Sequence, residues 1–357
     1  MNHLELFSGI GGFRRALDLL AHDGIMPFRC IGYSEIDLKA KLTYQTNYNV
    51  EGEVDMGDIV SFTAKRKNIE SLKDFDLLTG GFPCQTFSVM GQQAGFNEER
   101  GQMFFRIMDI ILVKRPKYVL LENVKNLYTH DKGNTFARIE SELRAAGYSV
   151  YANIFNTVDF HLPQKRSRVL IFATTERLPK DFATQFTPAN VKSLFDKNIE
   201  RLSVLQYNST LDILEQKVDC KYFLSEKIKP TILADGSANF KSRSDINQLI
   251  ARTLTASMHK MHRACQDNYY SQDFIDSKGA VNHVNDFTKE QLARLDIRKL
   301  TPQEAFMLQG FPAEFATKAQ KAKVSNGALY KQAGNAVSVN VIFAVLYYLI
   351  LNNIIHE

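Results

Sequence analysis

The stretch HLELFSGIGGFRRALDLLAH, residues 3–22, changes its pattern part-way along, and that change decides the fold. HLELF (3–7) reads as a strand, and GFRRALDLLAH (12–22) as a helix with Phe13, Ala16, Leu17 and Leu20 on one face. Between them LFSGIGGF (6–13) is a glycine-rich turn from strand to helix, a nucleotide-type position in open α/β sheets. The dinucleotide fingerprint G-x-G-x-x-G is not completed. After Gly9 and Gly11 the third glycine's place belongs to Arg14, which counts against a pyrophosphate-bearing NAD or FAD.

Working outward, FRCIGYSEID (28–37), FDLLTG (75–80), YVLLEN (118–123) and RVLIFAT (168–174) read as further strands. GQMFFRIMDIILVKR (101–115) and TFARIESELRAAG (135–147) read as helices, the second closed by Gly147 where a left-handed cap is expected. This alternation predicts an α/β fold, a mostly parallel sheet with helices on both faces. From about residue 180 the pattern weakens, and 186–296 is polar, irregular and rich in Asn, Asp, Ser and Lys, so a second, smaller, irregular domain is expected. Regularity returns at LTPQEAFMLQGFP (300–312), where Thr301, Pro302 and Glu304 form a helix-start signature and Gly310 and Pro312 a stop. NVIFAVLYYLI (340–350) is expected to be a buried helix returning to the first domain. The boundaries expected are 1–185 with 326–357 for that domain, and 186–325 for the second domain and hinge.

At 357 residues, 45% hydrophobic and 23% charged, the chain has the makings of one large or two ordinary globular domains. A net charge of +5 suits a polyanionic partner without showing one. Lys65-Arg66-Lys67 and Lys114-Arg115-Pro116-Lys117 offer phosphate contacts or are solvated surface. The four cysteines, Cys30, Cys84, Cys220 and Cys265, are far apart with no C-x-x-C pair, which argues against a zinc site or a disulfide framework; no metal is expected. The N-terminus enters a strand at once, without a signal-peptide pattern. The longest apolar stretch, Val337 to Leu351, is shorter than the ~20 residues of a spanning helix. A cytoplasmic location is the expectation.

Glu35, ending the second strand, is placed to accept hydrogen bonds from ribose hydroxyls. Asp58 in GDI (57–59), expected to end a third short strand, is placed to read an adenine amino group. The alternative for each is a solvated loop end. With the glycine turn they suggest an adenosine cofactor lacking phosphates, and S-adenosylmethionine fits. Cys84 in LLTGGFPCQTFSVMG (77–91) is open to four readings: a small buried hydrophobe, a metal ligand, a disulfide half or a nucleophile. It lies just past a strand's carboxyl end, where such sheets bind ligands. If that strand neighbours the one ending in Glu122, the two face one cleft, and a thiol beside an acid suits covalent attack on a ring that is protonated as it reacts. QTFSVMGQQAGFNEERG (85–101) is long and without periodicity, as a lid is. In PQKRSRV (163–169), Arg166 and Arg168 stand two apart before a strand and are expected to point to opposite sides, one entering the cleft and one holding structure.

Six motifs in this order resemble those of bacterial DNA (cytosine-5)-methyltransferases, over nearly the whole chain. FSGIGGF is similar to the cofactor loop, GGFPCQTFS to the Pro-Cys loop, ENV (122–124) to the glutamate motif and QKRSRV (164–169) to Q-x-R-x-R. RKLTPQEAFMLQGFP (298–312) and QAGNAV (332–337) resemble the last two, and RTLTA (252–256) the Thr-Leu segment of the variable target-recognition domain, which the interval 186–296 would then carry. The resemblance implies an S-adenosylmethionine-dependent, Rossmann-like methyltransferase fold. It assigns Cys84 to attack on C6 of a flipped-out cytosine, Glu122 to N3 and the exocyclic amine, Arg168 to O2 and Arg166 to organising the loop. Arg168 or the cofactor's cation is expected to help ionise the Cys84 thiol, whose free pKa is about 8.5. S-adenosylmethionine, leaving as S-adenosylhomocysteine, is held by Phe7, Ser8, Gly9, Gly11 and Gly12, by Glu35, Ile36, Asp58, Ile59 and Pro83, and by Asn335 and Val337. Ile36 is a departure, since several members carry a tryptophan there to pack on adenine. DNA contacts fall to Gln85, Ser88, Met90, Arg100 and Thr253. Arg243, Lys260 and Arg263 are candidate base readers, each with a phosphate contact or solvated surface as its alternative.

The implied partners are double-stranded DNA and no membrane. The protein is expected to be a monomer, and a cognate restriction endonuclease to share the target sequence without binding it. Three rivals meet contrary features. A nicotinamide oxidoreductase lacks its third glycine here, a noncatalytic DNA-binding relative would not need the full motif set, and the tRNA-directed branch typically carries a Cys-Phe-Thr tripeptide that is absent.

Overall fold

A computed structural model describes residues 1–83, 102–236 and 242–356. The chain divides into two compact units: Met1–Asn156, Ser167–Val204 and Val341–Glu357 form the first, and Thr157–Arg166 with Leu205–Asn340 the second. The change of unit therefore falls after Val204 rather than at 186, and the return at Val341 rather than at 326. A physical reason is the helix Pro188–Asn198, polar in composition but carrying buried Val191 and Phe195. Phe195 meets Phe343 of the C-terminal segment, ring centroids 6.2 Å apart, and so ties this stretch to the first unit.

The first unit is built on β1 (Asn2–Leu6), β2 (Arg29–Tyr33), β3 (Val54–Asp55), β4 (Leu77–Gly81), β5 (Tyr118–Val124), β6 (Ser149–Asn156) and β7 (Ser167–Thr174). They form one sheet in the order β3-β2-β1-β4-β5-β7-β6. The first five are parallel, and β7 runs antiparallel to both β5 and β6. Strand order reverses at β1, which pairs with β2 on one side and β4 on the other. Ligands of open α/β sheets bind in the crevice at such a point.

The crossovers hold α1 (Gly12–His22), α2 (Leu38–Asn47), α3 (Ile59–Thr63), α4 (Arg66–Glu70), α5 (Gln102–Lys114) and α6 (Asn134–Ala145). Gly147 closes α6 as expected: at φ +89° it lets its own amide reach the Arg144 carbonyl and that of Tyr148 reach Leu143, the two bonds of a Schellman cap. Both faces of the sheet are covered. Val119 and Leu121 share a core with Ile107, Ile110 and Ile111 of α5, while Tyr118, on alternate pleats, stacks on Phe172. Phe172 in turn meets Phe182 and Phe186, from α7 (Phe182–Gln185) and the residue after it.

The second unit is made of short pieces around a small core that includes Leu224, Ile232, Leu233, Ile246, Tyr269 and Ile297. Its only extended pairing among the described residues is a three-residue antiparallel ladder between Tyr269–Ser271 and Ile297–Lys299. The capping box read in the sequence is present, with Thr301 and Glu304 bonding each other's backbone amides at the start of the helix Pro302–Met307. The C-terminal helix Val339–Leu351 is apolar on all sides, which requires an interior position. Taken with the helix before it, Asn326–Leu351 is long and apolar enough to cross a membrane, but 78% of its most apolar window is buried inside the protein, as in a core helix.

Candidate active site

The loop leaving β1 is held against the end of β2 by three amides. Phe7 takes a left-handed backbone, φ +53°, a conformation unfavourable for a bulky side chain. Its amide donates to the Ser34 hydroxyl at 3.1 Å and that of Ser8 to the Ser34 carbonyl at 2.9 Å, which fixes the turn. The Gly9 amide then donates to Glu35 Oε2 at 2.8 Å, and the Asp37 amide to Oε1 at 2.7 Å. Burial raises the Glu35 carboxyl above its ordinary value although both amides pull it down. With the Ile36 amide, which also holds this carboxyl down, these bonds use about three of the four acceptor positions of a carboxylate, leaving room for a donor such as a hydroxyl. Gly11 admits nothing larger: at φ +82°, a Cβ would stand 2.4 Å from the Tyr48 ring, whose hydroxyl donates to the Gly11 carbonyl.

Asp58 does not end a strand. β3 stops at Asp55, and Asp58 is the N-cap of α3, accepting from the amides of Val60 at 3.0 Å and Ser61 at 3.3 Å. A short polar side chain three residues past a brief strand is better employed on free helix amides than in a ladder. Burial alone would raise its carboxyl, but the Ser61 hydroxyl, 2.7 Å away, and the two amides hold it below the usual range. Around these groups lies a cavity of about 560 Å³, lined by Phe7, Ser34, Glu35, Ile36, Gly57, Asp58, Ile59, Val60, Pro83 and Met103. Six of the expected cofactor residues are among them. Ser8 is buried behind the turn, Gly9 reaches the site through Glu35, and Gly11 and Gly12 shape the start of α1.

β4 and β5 are neighbours, with Gly81 opposite Glu122. Their adjacency is the condition on which the one-cleft expectation rests, and Pro83, two residues past β4, lines the cavity. Asn123 pins the exit from β4, donating to the Phe82 carbonyl at 2.9 Å. Cys84 itself, with Gln85, Ser88, Met90, Arg100 and the rest of the expected lid, lies outside the described residues.

Arg168 stands opposite Val124 in the β5–β7 ladder, diagonal to Glu122 and on the same face. Its Nε lies 2.9 Å from Glu122 Oε1, both side chains largely buried. Arg166 differs, but not through strand alternation, since residues two apart in a strand share a face. It precedes β7 and belongs to the second unit, where it is buried and donates to the carbonyls of Leu254, Gly334 and Ala336 at 3.0, 3.1 and 2.7 Å. Also in that unit, Thr253 donates its hydroxyl to the Lys165 carbonyl, Asn335 is exposed at a helix end and Val337 is buried just after it. Of the candidate base readers, Arg243 pairs with Asp245 at 2.8 Å and Arg263 donates to the Asp235 carbonyl at 2.7 Å, while Lys260 is exposed.

Residues 1–350 match the family model described as C-5 cytosine-specific DNA methylase. The chain belongs to this family. A type II methyltransferase of Lactococcus lactis subsp. cremoris is 34% identical over 346 residues, 96% of this chain and 76% of that one. One from Neisseria lactamica is 33% identical, covering 96% and 94%. An orphan methyltransferase of Bacillus phage SPR is 28% identical, covering 97% of each. Among solved structures the S. pombe Dnmt2 methyltransferase superposes with a TM-score of 0.74 at 22% identity over the whole of both chains, which establishes the fold. The protein is thus a DNA (cytosine-5)-methyltransferase by class, dependent on S-adenosylmethionine and acting on DNA.

For this methylase the structure adds residues that the sequence did not single out. Ser34 fixes the cofactor loop, Asn123 fixes the approach to the Pro-Cys loop, and Met103 and Val60 wall the cavity. Asn123 had a signal, an amide immediately after a strand-end glutamate. Ser34 and Met103 act through contacts remote in sequence and had none.

Proposed function

We propose that the protein methylates C5 of a cytosine flipped out of a short specific duplex sequence, through a transient bond between Cys84 and C6. The observation that supports this best is the Glu122–Arg168 pair, placed by ladder register at the strand edge that leads to Cys84. A flipped base costs a few kcal/mol to unstack, and such a pair offers its polar edge the hydrogen bonds it lost. Arg168 takes O2, and Glu122 takes N3 and the exocyclic amine. The Cys84 thiolate bonds to C6 and displaces the ring's double-bond electrons toward C5, while Glu122 supports the added proton on N3. Once C5 carries the methyl group, its proton departs, the 5,6 double bond re-forms and the sulfur leaves with its electron pair.

The cavity suits S-adenosylmethionine. Its 560 Å³ falls in the ~300–1,000 Å³ range of small-molecule sites, and among the described residues its walls carry two carboxylates and no cationic group for a phosphate. Glu35 would hold the ribose hydroxyls and Asp58 the adenine amine, in the cavity that Phe7, Ile36, Ile59 and Pro83 also line, with Asn335 and Val337 contributing as the motif implies. When bound, the cofactor supplies an electrophilic methyl group. No metal enters this reading.

The interval 186–296, whose part from Leu205 on belongs to the second unit, reads the DNA sequence, with Thr253 contacting DNA, and the lid residues Gln85, Ser88, Met90 and Arg100 fill the gap left by the base. We also read the protein as a cytoplasmic monomer and as the modification enzyme of a restriction–modification system. The type II relatives support that last reading.

The test is DNA carrying 5-fluorocytosine at the target. Attack and methyl transfer proceed, but fluorine cannot leave C5 as a proton, so the enzyme should stay covalently bound through denaturing electrophoresis. Cys84→Ala should give no adduct, and Glu122→Gln should slow its formation by about 10²–10⁴-fold, the usual range for a lost acid–base group. A wild-type enzyme that methylates ordinary DNA yet forms no adduct would exclude the mechanism.

A further inference from the structure

The segment Thr253–Ala256, which lies in no strand or helix of four residues or more, is gripped at its first two residues by one tripeptide, Gln164-Lys165-Arg166. A parallel bridge between Gln164 and Ala251 starts the contact, with the Lys165 amide donating to the Ala251 carbonyl at 2.9 Å. The Thr253 hydroxyl donates to the Lys165 carbonyl, and the Leu254 amide to Gln164 Oε1 at 2.9 Å. Arg166 closes the other side of Leu254, accepted by its carbonyl at 3.0 Å. Two of these three side chains are tied to the helix Asn326–Asn335 or the residues around it. Arg166 donates to the carbonyls of Gly334 and Ala336, and Gln164 to Gln309 Oε1 at 3.4 Å, whose amide group donates to the Ala333 carbonyl at 2.7 Å.

Gly334 occupies the centre of this arrangement. A Cβ there would stand 2.2 Å from the Thr255 carbonyl carbon, 2.3 Å from its oxygen and 2.4 Å from the Ala256 nitrogen. All three are backbone atoms, so no rotamer change can make room. The residue lies inside a helix, where alanine is the better helix former and a glycine needs another reason. The reason on view is close approach. Resting on the reading that Thr253 contacts DNA, we infer that Gly334 is a positioning residue for target recognition: its missing side chain sets where the Thr253–Ala256 backbone lies, and Arg166 and Gln164 lock it there.

The experiment uses the full-length protein and two duplexes, one containing the sequence that the wild type methylates and one lacking it. Gly334→Ala should lower the target-to-nontarget affinity ratio by about tenfold or more, since that ratio depends on placed contacts. Affinity for the nontarget duplex, carried by phosphate charge, should change by less than about twofold. Hydrogen exchange at the Leu254 amide should quicken. If Gly334→Ala does not fold, Gln309→Met, which keeps length but cuts the link between Gln164 and the helix, should lower the ratio by about threefold. A folded Gly334→Ala protein with the wild-type ratio and unchanged Leu254 exchange overturns the inference alone. Equal losses on both duplexes overturn it too, since they indicate a general effect on binding. A wild type that methylates no duplex overturns the proposed function, and the role of Gly334 with it.

Discussion

In the first unit Glu122 stands two residues before the end of a strand that pairs over five residues with one neighbour and over seven with the other. In the second, Leu254 is held by a glutamine on one side and an arginine on the other, with no strand ladder along the segment. The two arrangements carry position in different currencies. A ladder uses groups that every residue possesses, so the outward side chains beside such a carboxylate can vary without moving it. A segment hung from side chains moves when those side chains change. The proposed chemistry sits on the first kind of support, and the surface proposed to read sequence sits on the second, where substitution reshapes it.

The Arg298–Glu304 pair puts that contrast to its strongest test. Both side chains are fully buried in the second unit, bonded twice to each other at 2.7 and 2.9 Å. Glu304 also accepts the amides of Thr301 and Glu215, so one carboxylate organises three stretches of chain. Glu304→Ala leaves a buried guanidinium without its counter-charge and should lower stability by about 3–5 kcal/mol in urea unfolding. The half-exposed Arg144–Glu140 pair on α6 should yield only about 0.3–0.5 kcal/mol when Glu140 is replaced. A loss below ~1 kcal/mol for Glu304→Ala would show that the second unit does not depend on its side-chain ties.

A smaller effect is expected at Glu35, where the ladder should preserve the fold while the ligand is lost. Glu35→Gln removes one acceptor and sets an amide donor against the Gly9 or Asp37 amide. S-adenosylmethionine affinity should fall about 10–100-fold in a calorimetric titration, matching the ~1.5–3 kcal/mol of a hydrogen bond to a charged group. Unchanged affinity would remove the cofactor from this cavity.

What was legible in the sequence follows the same division. β1, the turn and α1 were readable because a period of two gives way to a helical period across three glycines. β6 was missed because SVYANIFN is half-exposed and holds two asparagines, so it shows neither an apolar run nor alternation. Asp58 was misplaced because a carboxylate after a short strand looks alike whether it ends the strand or caps the next helix. The roles of Gln164, Gln309 and Gly334 were beyond reach, since their partners lie up to 168 residues away, as in the Arg166–Gly334 bond, and follow no spacing rule. Motif resemblance marked that region as important. Only the contacts say how it holds together.

The smallest expected effect depends on pH and probes the strand beneath the cofactor turn. Glu5 of β1 is fully buried, accepting from the Tyr44 hydroxyl at 3.2 Å and the Arg14 amide at 3.4 Å. Burial pushes its carboxyl up to about 8, against the pull of the Arg14 charge, from an ordinary 4.5. Between those values the folded protein keeps a proton that the unfolded chain has lost, so folding stability contributed by this group is full below about 4.5 and drains as pH rises through about 8. His3, two residues earlier, works in the other direction: burial, then Arg14, holds it near 3 instead of 6.5, so its contribution is present above 6.5 and lost as pH falls. Of these two groups, only Glu5 loses its contribution on the alkaline side. Glu5→Gln keeps the shape and an acceptor for Tyr44 but cannot ionise. Going from pH 5 to pH 8.5, the wild type should lose about 1–3 kcal/mol relative to this variant, less than the full shift allows because local opening of the strand lets water reach the ionised carboxylate. Parallel stability curves across that range would mean that Glu5 ionises freely, and that the ladder under the cofactor loop is more open to water than its burial indicates.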